Sequence, residues 1–545
     1  MYNLLTQPLI QAVPNGRLTL PGLLAALARD EVDSVSALRP HQGPSWHMFL
    51  VQLAALALQR SGKTEIFEDE ETWVSALRDL TPGFAADEPW QLVVDDWTQP
   101  AFLQPPVPDG VTLGNPVSTP DALDLLITSK NHDIKQAVAR QGQPEDWLFA
   151  LVSLQTGGTY SKAGPGRNYW NAVRTGNLYA PRVLVGLAPL PKADAGMLPR
   201  LGVWFRRDVT ALLETRASEL EQNEFYAESG IGLTWLVPWP EGEQFQLNDR
   251  APHLDIWFIE VCRRLRLQMT GEAISAKMTG TEKGRINGSV LGGKIGDPWT
   301  PIPKDLEKKA LSLSSRGFDY RVLTKVLFGE TNTHDWILPI LAKPLQTDDE
   351  TQTFFLIAQG VAAKRQKSGT LGFHSRILPI AGKISRALGT KREQLHELAK
   401  AQTETIAVFD KAIGNSLALA AASGDPEKLK RDRKNPKKDP YIYAREAQGR
   451  FNHTVDGIFF QHLWDRLEAQ DKGREALAAA KLRWIRALYD FARIAFEAAL
   501  PAIPCAGIFR PRAEVRARRD FYDIIRHRYP ELFDHPEREE DGHAA

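Results

Sequence analysis

After about Ile380 the sequence changes character, and that change limits the folds open to the chain more than any single motif does. From there on it is alanine-rich and helix-forming, with few prolines. Four segments carry a helical pattern: Lys391 to Ala422, Tyr441 to Ala469, Gly473 to Leu500 and Pro511 to Arg528. Phe451, Val455, Phe459, Leu463 and Leu467 recur every four residues, and Leu482, Ile485, Leu488, Phe491 and Ile494 every three, so each of these two helices should bury an apolar stripe. Four such helices joined by short to medium connections make a bundle. The 545 residues exceed what one core accommodates, about 250–300 residues, so more than one domain is required. The sequence therefore predicts an α+β protein: a mixed α/β domain over residues 1–380, a four-helix bundle over 381–533, and an acidic, disordered tail over 534–545.

Charge narrows the function classes. The 67 basic residues equal the 67 acidic ones, so binding to a polyanion must come from local patches, and a free-standing, non-specific DNA binder is disfavoured. Two cysteines, Cys262 and Cys505, supply neither a disulfide framework nor a four-cysteine zinc site, and a reducing cytoplasm is the expected compartment. The N-terminus lacks the pattern of a signal peptide, and no apolar run reaches the roughly 18 residues that would span a bilayer. No membrane partner and no cofactor is expected.

In chain order, Asn3 to Val13 and Arg17 to Leu20 read as a strand pair around Pro14-Asn15-Gly16. Ser45 to Leu58 is apolar nearly all round, as in a helix buried within a large domain, and its His47 reads as a structural histidine. Val183 to Leu187 and Leu201 to Phe205 read as strands, and Asp208 to Glu221 as an amphipathic helix.

The polar, chemistry-bearing stretch begins at Thr128. Thr128, Ser129, Lys130, Asn131 and His132 open a loop of amides, hydroxyls and cations that runs to Arg140. Trp147 to Val152 can only be buried. Beyond it Gly157, Gly158, Thr159, Lys162, Gly164 and Gly166 form a glycine-bearing loop. Its glycines permit positive φ and a close backbone approach to a ligand. Two readings stay open: a turn without ligand, or a loop whose N–H groups, flanked by Lys162, Arg167 and Arg174, meet a nucleic-acid backbone. No Gly-Lys-Ser/Thr and no G-x-G-x-x-G marks a nucleotide site here.

Between Cys262 and Pro301 basic residues coincide with glycines: Arg263, Arg264, Arg266, Lys277, Lys283, Arg285 and Lys294. This reads either as a solvated loop or as a finger touching phosphates or a groove edge. Lys364, Arg365, Gln366 and Lys367 follow an apolar run and read as a hairpin tip, solvated or reaching into a groove. In the helical half, Lys430, Arg431, Arg433 and Lys434 lie in a connection that is either a solvated linker or a nucleic-acid patch; Arg516, Arg518, Arg519, Arg526 and Arg528 make the last helix basic.

For catalysis the sequence offers little. H-E-x-x-H, G-x-S-x-G and the kinase set are absent. His132-Asp133 lacks further metal ligands, and Asp95-Asp96 and Asp348-Asp349-Glu350 lack histidine company. No catalytic residue is assigned. A stand-alone metal-dependent nucleic-acid enzyme, built on His132, Asp133, Asp95 and Asp96, and a helical scaffold without DNA contact are the alternatives.

Taken in order, Asn3-Leu4-Leu5 with Pro8, Pro100-Ala101-Phe102-Leu103-Gln104, the loop from Thr128, the glycine loop from Gly157 and the C-terminal bundle resemble the large-subunit (CasA) family of the type I-E CRISPR surveillance complex Cascade over nearly the whole chain. The resemblance implies a non-catalytic subunit. Its partners would be guide RNA, the other Cascade subunits, double-stranded target DNA and a helicase-nuclease. It would check the protospacer-adjacent motif, open the duplex and promote R-loop formation. By the same resemblance, Thr128 to Arg140 docks near the guide's 5′ end and Gly157 to Gly166 lies by the motif's minor groove. One of Lys277, Lys283 and Lys294 is the lysine finger. Gln366, between Lys364 and Lys367, is the wedge. Some relatives hold a cysteine-bound metal, which two distant cysteines cannot reproduce.

Overall fold

The computed structural model describes residues 2–124, 142–158, 161–170, 174, 181–190, 198–247, 253–287, 295–304, 310–329, 336–345, 352–363 and 370–533. The chain is α+β, as its patterning predicts, and divides into two compact units between Thr390 and Lys391. The break lies past the helix Gly382–Thr390, whose buried Ile384, Ala387 and Leu388 belong with the first unit.

The first unit is built around the helix Gly43–Arg60, buried from Pro44 to Leu58. It is apolar all round because it is surrounded: the helices Glu70–Asp79, Pro144–Gly157 and Leu201–Gln222 and the strand Leu254–Ile259 all pack on it. Its polar exceptions are satisfied. Gln52 donates to the carbonyls of Trp257 and Phe258 at 3.1 and 2.9 Å. His47 Nε2 meets Asp208 Oδ2 at 2.9 Å while its ring stacks on Trp204, so it is the structural histidine the sequence suggests. Leu201 to Phe205, expected as a strand, is instead the first turn of the helix Leu201–Gln222. Five consecutive largely apolar residues carry no period of their own. In the helix, Trp204, Phe205, Val209 and Leu212 are buried together. The opening strand is also shorter than expected. Only Ile10–Val13 pairs with Gly16–Leu18, in register Ile10↔Leu18. Asn3 instead folds a turn, accepting at its side chain from Leu5 N at 2.8 Å, and this sends Leu4 and Leu5 into the core.

The sheets are small. One joins the antiparallel strands Arg264–Thr270 and Ala273–Thr279 to Asn115–Val117. Another joins the long hairpin Thr353–Ala363 and Thr370–Ala381 to Leu184–Pro189. The stretch Cys262 to Pro301 is thus in good part paired strand.

The second unit is a bundle of four long helices, Arg392–Ala421, Arg445–Asp471, Arg474–Ala499 and Arg510–Arg528. The four-residue stripe from Phe451 to Leu467 is buried throughout, because that helix packs on two of the others. The three-residue stripe is not. Each three-residue step falls about 60° short of a full turn, so the stripe walks off the core, and Ile494 ends 59% exposed. The buried row is Trp484, Leu488, Ala492, Ala495 and Ala499, mixing steps of four and three. The expected linker holds a fifth, short helix, Pro426–Arg433, whose Asp425 cap accepts from Glu427 N and Lys428 N. No single helix among the described residues is long and apolar enough to cross a membrane.

Candidate nucleic-acid interface

The apolar segment between the two polar loops is the helix Pro144–Gly157, closed at its start by a capping box in which Gln143 N donates to Asp146 at 2.8 Å. Trp147 to Val152 are each at most 1% exposed. Near its end the fully buried Gln155 acts as a bridge. Its amide N–H groups reach Leu103 O and Arg263 O, and its oxygen accepts from Cys262 N and Arg263 N at 3.0 and 2.8 Å. The Cys262 thiol donates to Leu154 O, and burial pushes its pKa up. Gly158 then leaves the helix where any Cβ would lie 2.6 Å from Leu154 O and 2.8 Å from Cys262 Sγ. That glycine is required by packing against protein.

Beyond it the glycine-bearing stretch is a hairpin, Ser161–Gly164 with Arg167–Tyr169. Pro165 and Gly166 make its turn; Gly166 has φ 68°, the proline-then-glycine chemistry of a type II turn. Lys162, Gly164, Pro165 and Gly166 are exposed. The register shift between Lys162 and Gly164 leaves Ala163 unpaired, and its Cβ sits where Gly280 comes closest: a Cβ at Gly280 would lie 2.3 Å away. Asn168 and Thr281 exchange both backbone hydrogen bonds, at 2.9 and 3.0 Å, and Trp170 Nε1 donates to Thr281 O. Lys283, two residues on, is exposed. The structure thus brings two separately identified features together, the glycine hairpin and Lys283.

Glu241 holds this junction. It accepts from Arg264 at 2.6 Å, from Arg167 at 3.2 Å and from Glu282 N at 2.9 Å. Burial alone would raise its pKa, but the Glu282 N–H and the two guanidinium groups outweigh it and hold the carboxyl below the usual glutamate range. A depressed folded-state pKa contributes stability that is complete above the unfolded value, near 4.5, and is lost as pH falls through the folded one. A Glu241→Gln chain should therefore be less stable than the native chain by a margin that is constant above about pH 5 and closes below pH 4.5. Urea titrations of both chains across that range test this; a margin independent of pH would remove the charge from the anchor. Sequence gives no hint of Glu241, an acid in an ordinary polar turn.

Several cations of the basic stretch are structural. Arg174 is 1% exposed, with its guanidinium on the Ile256 and Phe258 carbonyls. Arg266 donates to Gln99 O, Gln104 O and Val94 O, and Arg285 to Thr234 O, Val237 O and Pro238 O. Burial pulls their pKa values down to about 10 and about 9. Arg263 and Arg264 are buried as well. These five side chains hold backbone carbonyls and carboxylates of the protein, which corrects the expectation that Arg174 and the finger arginines face phosphate. Of the lysines, Lys277 lies half-buried on a strand, its Nζ 6.0 Å from the Trp97 ring; Lys294 lies outside the described residues.

Thr128, Ser129, Lys130, Asn131, His132 and Asp133 also lie outside them, but the flanks are described. Asp124, 2% exposed, accepts from His41 at 2.7 Å and from Arg39 and Gln42 at 3.1 Å. On the other side a Cβ at Gly142 would meet Pro120 at 2.4 Å. Both flanks are therefore fixed near Pro120. Thr159, Lys364, Gln366 and Lys367 are likewise outside; the strands on either side of the last three end in the register pair Ala363↔Thr370. Lys430, Arg431, Arg433 and Lys434 are all exposed on the short helix and its end. Asp95 and Asp96 are exposed, with Asp96 accepting from Thr98 N and Oγ1. Among the described residues no three of His, Cys, Asp and Glu cluster so as to hold a metal ion.

This order, a mixed α/β unit with small sheets followed by a helical bundle, is the fold of the Cse1 proteins. The chain is similar over 97% of its length to the CRISPR-associated protein Cse1 of Acidimicrobium ferrooxidans, with TM-score 0.62, 14% identity and 98% of that chain covered. Thermus thermophilus CasA (Cse1) matches over 96% of this chain and 99% of its own, with TM-score 0.58 and 14% identity. A chain of a CRISPR RNA-guided surveillance complex matches over 96% and 99%, with TM-score 0.56 and 14% identity. No family model and no curated protein sequence matches the chain.

Proposed function

We propose that this chain is the non-catalytic large subunit of a type I-E CRISPR RNA-guided surveillance complex. In this reading it recognises the protospacer-adjacent motif in double-stranded DNA, promotes duplex opening and R-loop formation, and recruits a helicase-nuclease. The observation that carries the reading is the full-length likeness in fold to solved Cse1 chains, both units in the same order. The glycine hairpin and Lys283 are the motif-facing pair. An exposed turn beside an exposed lysine suits the minor groove, whose code is degenerate, so a permissive motif is expected. Of the two described candidates, Lys283 takes the finger role over Lys277 because it is exposed and lies beside the hairpin. Thr128 to His132 face the guide, Gln366 with Lys364 and Lys367 forms the wedge, and Lys430, Arg431, Arg433 and Lys434 give the bundle a nucleic-acid patch. Opening the duplex works against stacking of about 1.4 kcal/mol per step, so a wedge needs to hold open only a few steps before guide pairing takes over.

The test is binding of duplexes with a randomised motif by a guide-loaded partner complex, with and without this chain, at one fixed salt concentration. The chain should add motif-dependent binding. Gln366→Ala should weaken binding to duplex and spare single-stranded target. No added binding refutes the subunit role, and equal loss on both substrates refutes the wedge.

A further inference from the structure

The histidine of the central helix is structural through one ring nitrogen only. His47 Nε2 donates to Asp208, a fully buried carboxylate that Arg207 and Trp299 also meet. The ring stacks on Trp204 with centroids 3.6 Å apart. These contacts fix its orientation. With the proton on Nε2, the neutral imidazole carries a lone pair on Nδ1. Among the described residues no hydrogen-bond partner meets Nδ1. His47 is 8% exposed, so Nδ1 is an acceptor without a donor in a buried residue, a group that costs stability unless something satisfies it.

The same residue borders a cavity of about 160 Å³ within the first unit. His47 and Leu50 line it from the central helix, Leu23 and Leu27 from the helix Leu20–Ala28, and Trp204 and Phe205 from the helix Leu201–Gln222. Besides His47 and the Gln359 amide the lining is apolar or aromatic, and among the described residues no Asp, Glu, Lys or Arg contributes to it. Half-buried Val35 and exposed Pro40 give the cavity its mouth. A volume of roughly 150 Å³ takes up a benzene ring. A water molecule at Nδ1 would find few of the about two to four polar partners it needs, and a charged ligand would find no counter-charge on these walls. An uncharged ring bearing one hydroxyl suits both parts: its O–H donates to Nδ1 and its body covers the apolar walls. We propose that this cavity is a binding site for a small phenol or cyclic alcohol, recognised by the His47 Nδ1 lone pair that Asp208 orients. The inference does not rest on the surveillance-complex reading.

Calorimetric titration of the full chain with phenol and with toluene, in which a methyl replaces the hydroxyl, tests this. An apolar cavity with no partner for the hydroxyl prefers toluene, because burying an unpaired hydroxyl is costly. The native chain should show the opposite order, with phenol bound roughly two- to tenfold tighter. Val35→Phe places a ring at the mouth, on a half-buried position, and should abolish saturable binding of both. His47→Gln keeps an amide N–H for Asp208 and removes the Nδ1 acceptor. That chain should bind toluene as the native one does and lose the preference for phenol, with melting temperature as the control for its fold. Phenol bound no more tightly than toluene, or no saturable binding of phenol by the native chain, overturns the proposal. Phenol binding that is unchanged by Val35→Phe, or a phenol preference that survives His47→Gln, overturns it as well.

Discussion

A Gly280→Ala chain should keep its fold and lose motif-dependent duplex binding by about ten- to hundredfold, the cost of one displaced groove contact at about 1–3 kcal/mol. The cause is local. A Cβ at Gly280 would lie 2.3 Å from Ala163 Cβ, closer than such atoms come, and 3.2 Å from Arg167 Cβ, a tight contact. Either the hairpin Ser161–Tyr169 moves outward or the strand end at Gly280 moves back. In both cases the Asn168–Thr281 bridge is strained and the spacing between the hairpin turn and Lys283 changes. The core is not touched, because the hairpin lies at the surface with its turn exposed. Adding Ala163→Gly removes the methyl that the new one meets, so the double variant should recover most of the affinity. Duplex binding with the guide-loaded partner complex is the readout, with melting temperature as the control. Native-like binding by the single variant, or no recovery in the double variant, would show that hairpin and Lys283 do not act as one reading surface.

How much of this was legible in the sequence depends on the range over which each feature is determined. The bundle was legible because an apolar period is a local property: Phe451 to Leu467 needs only its own helix to be read. The central helix was legible for the same reason, since a segment apolar on every side must be surrounded. Leu201 to Phe205 has the pattern of a strand and folds as helix because a short apolar run is compatible with both periods, and only the turns that follow decide. The basic stretch after Cys262 shows the deeper limit. A sequence gives the number of arginines but not where their guanidinium groups go, and Arg266 and Arg285 go to carbonyls contributed by Val94, Gln99, Gln104, Thr234, Val237 and Pro238. Charge read as solvent-facing was spent on joining distant segments. The glycines misled in the same direction: Gly158 and Gly280 are glycines because protein backbone and side chains occupy the place of a Cβ. The meeting of the hairpin with Lys283 spans more than a hundred residues, and no local pattern encodes it.

His47 illustrates the same limit in energetic form, and it carries the largest expected effect on stability. Its partner, Asp208, lies 161 positions away on another helix, beyond any local spacing. Asp208 is fully buried and serves three donors: His47 Nε2 at 2.9 Å, Arg207 Nη1 at 3.2 Å and Trp299 Nε1 at 3.4 Å. Arg207 in turn donates to Leu341 O and Lys343 O, so the carboxylate belongs to the contacts through which a guanidinium ties this helix to the segment around Leu341. Asp208→Ala removes a fully buried carboxylate 3.2 Å from a buried guanidinium and takes the acceptor from three donors, a change that costs about 3–5 kcal/mol. A unit of about 390 residues unfolds with an entropy near 0.8 kcal/mol per kelvin, so calorimetry should show the melting temperature lowered by about 4–6 °C. Asp208→Asn keeps an acceptor for His47 but not the charge facing Arg207, and should fall between the two. If the alanine chain melts within about 1 °C of the native one, the Asp208 carboxylate is not what holds Arg207 and His47 in place, and the assignment falls. The asparagine chain separates the two roles directly: a melting temperature equal to the native one assigns the carboxylate to hydrogen bonding, and one equal to the alanine chain assigns it to charge.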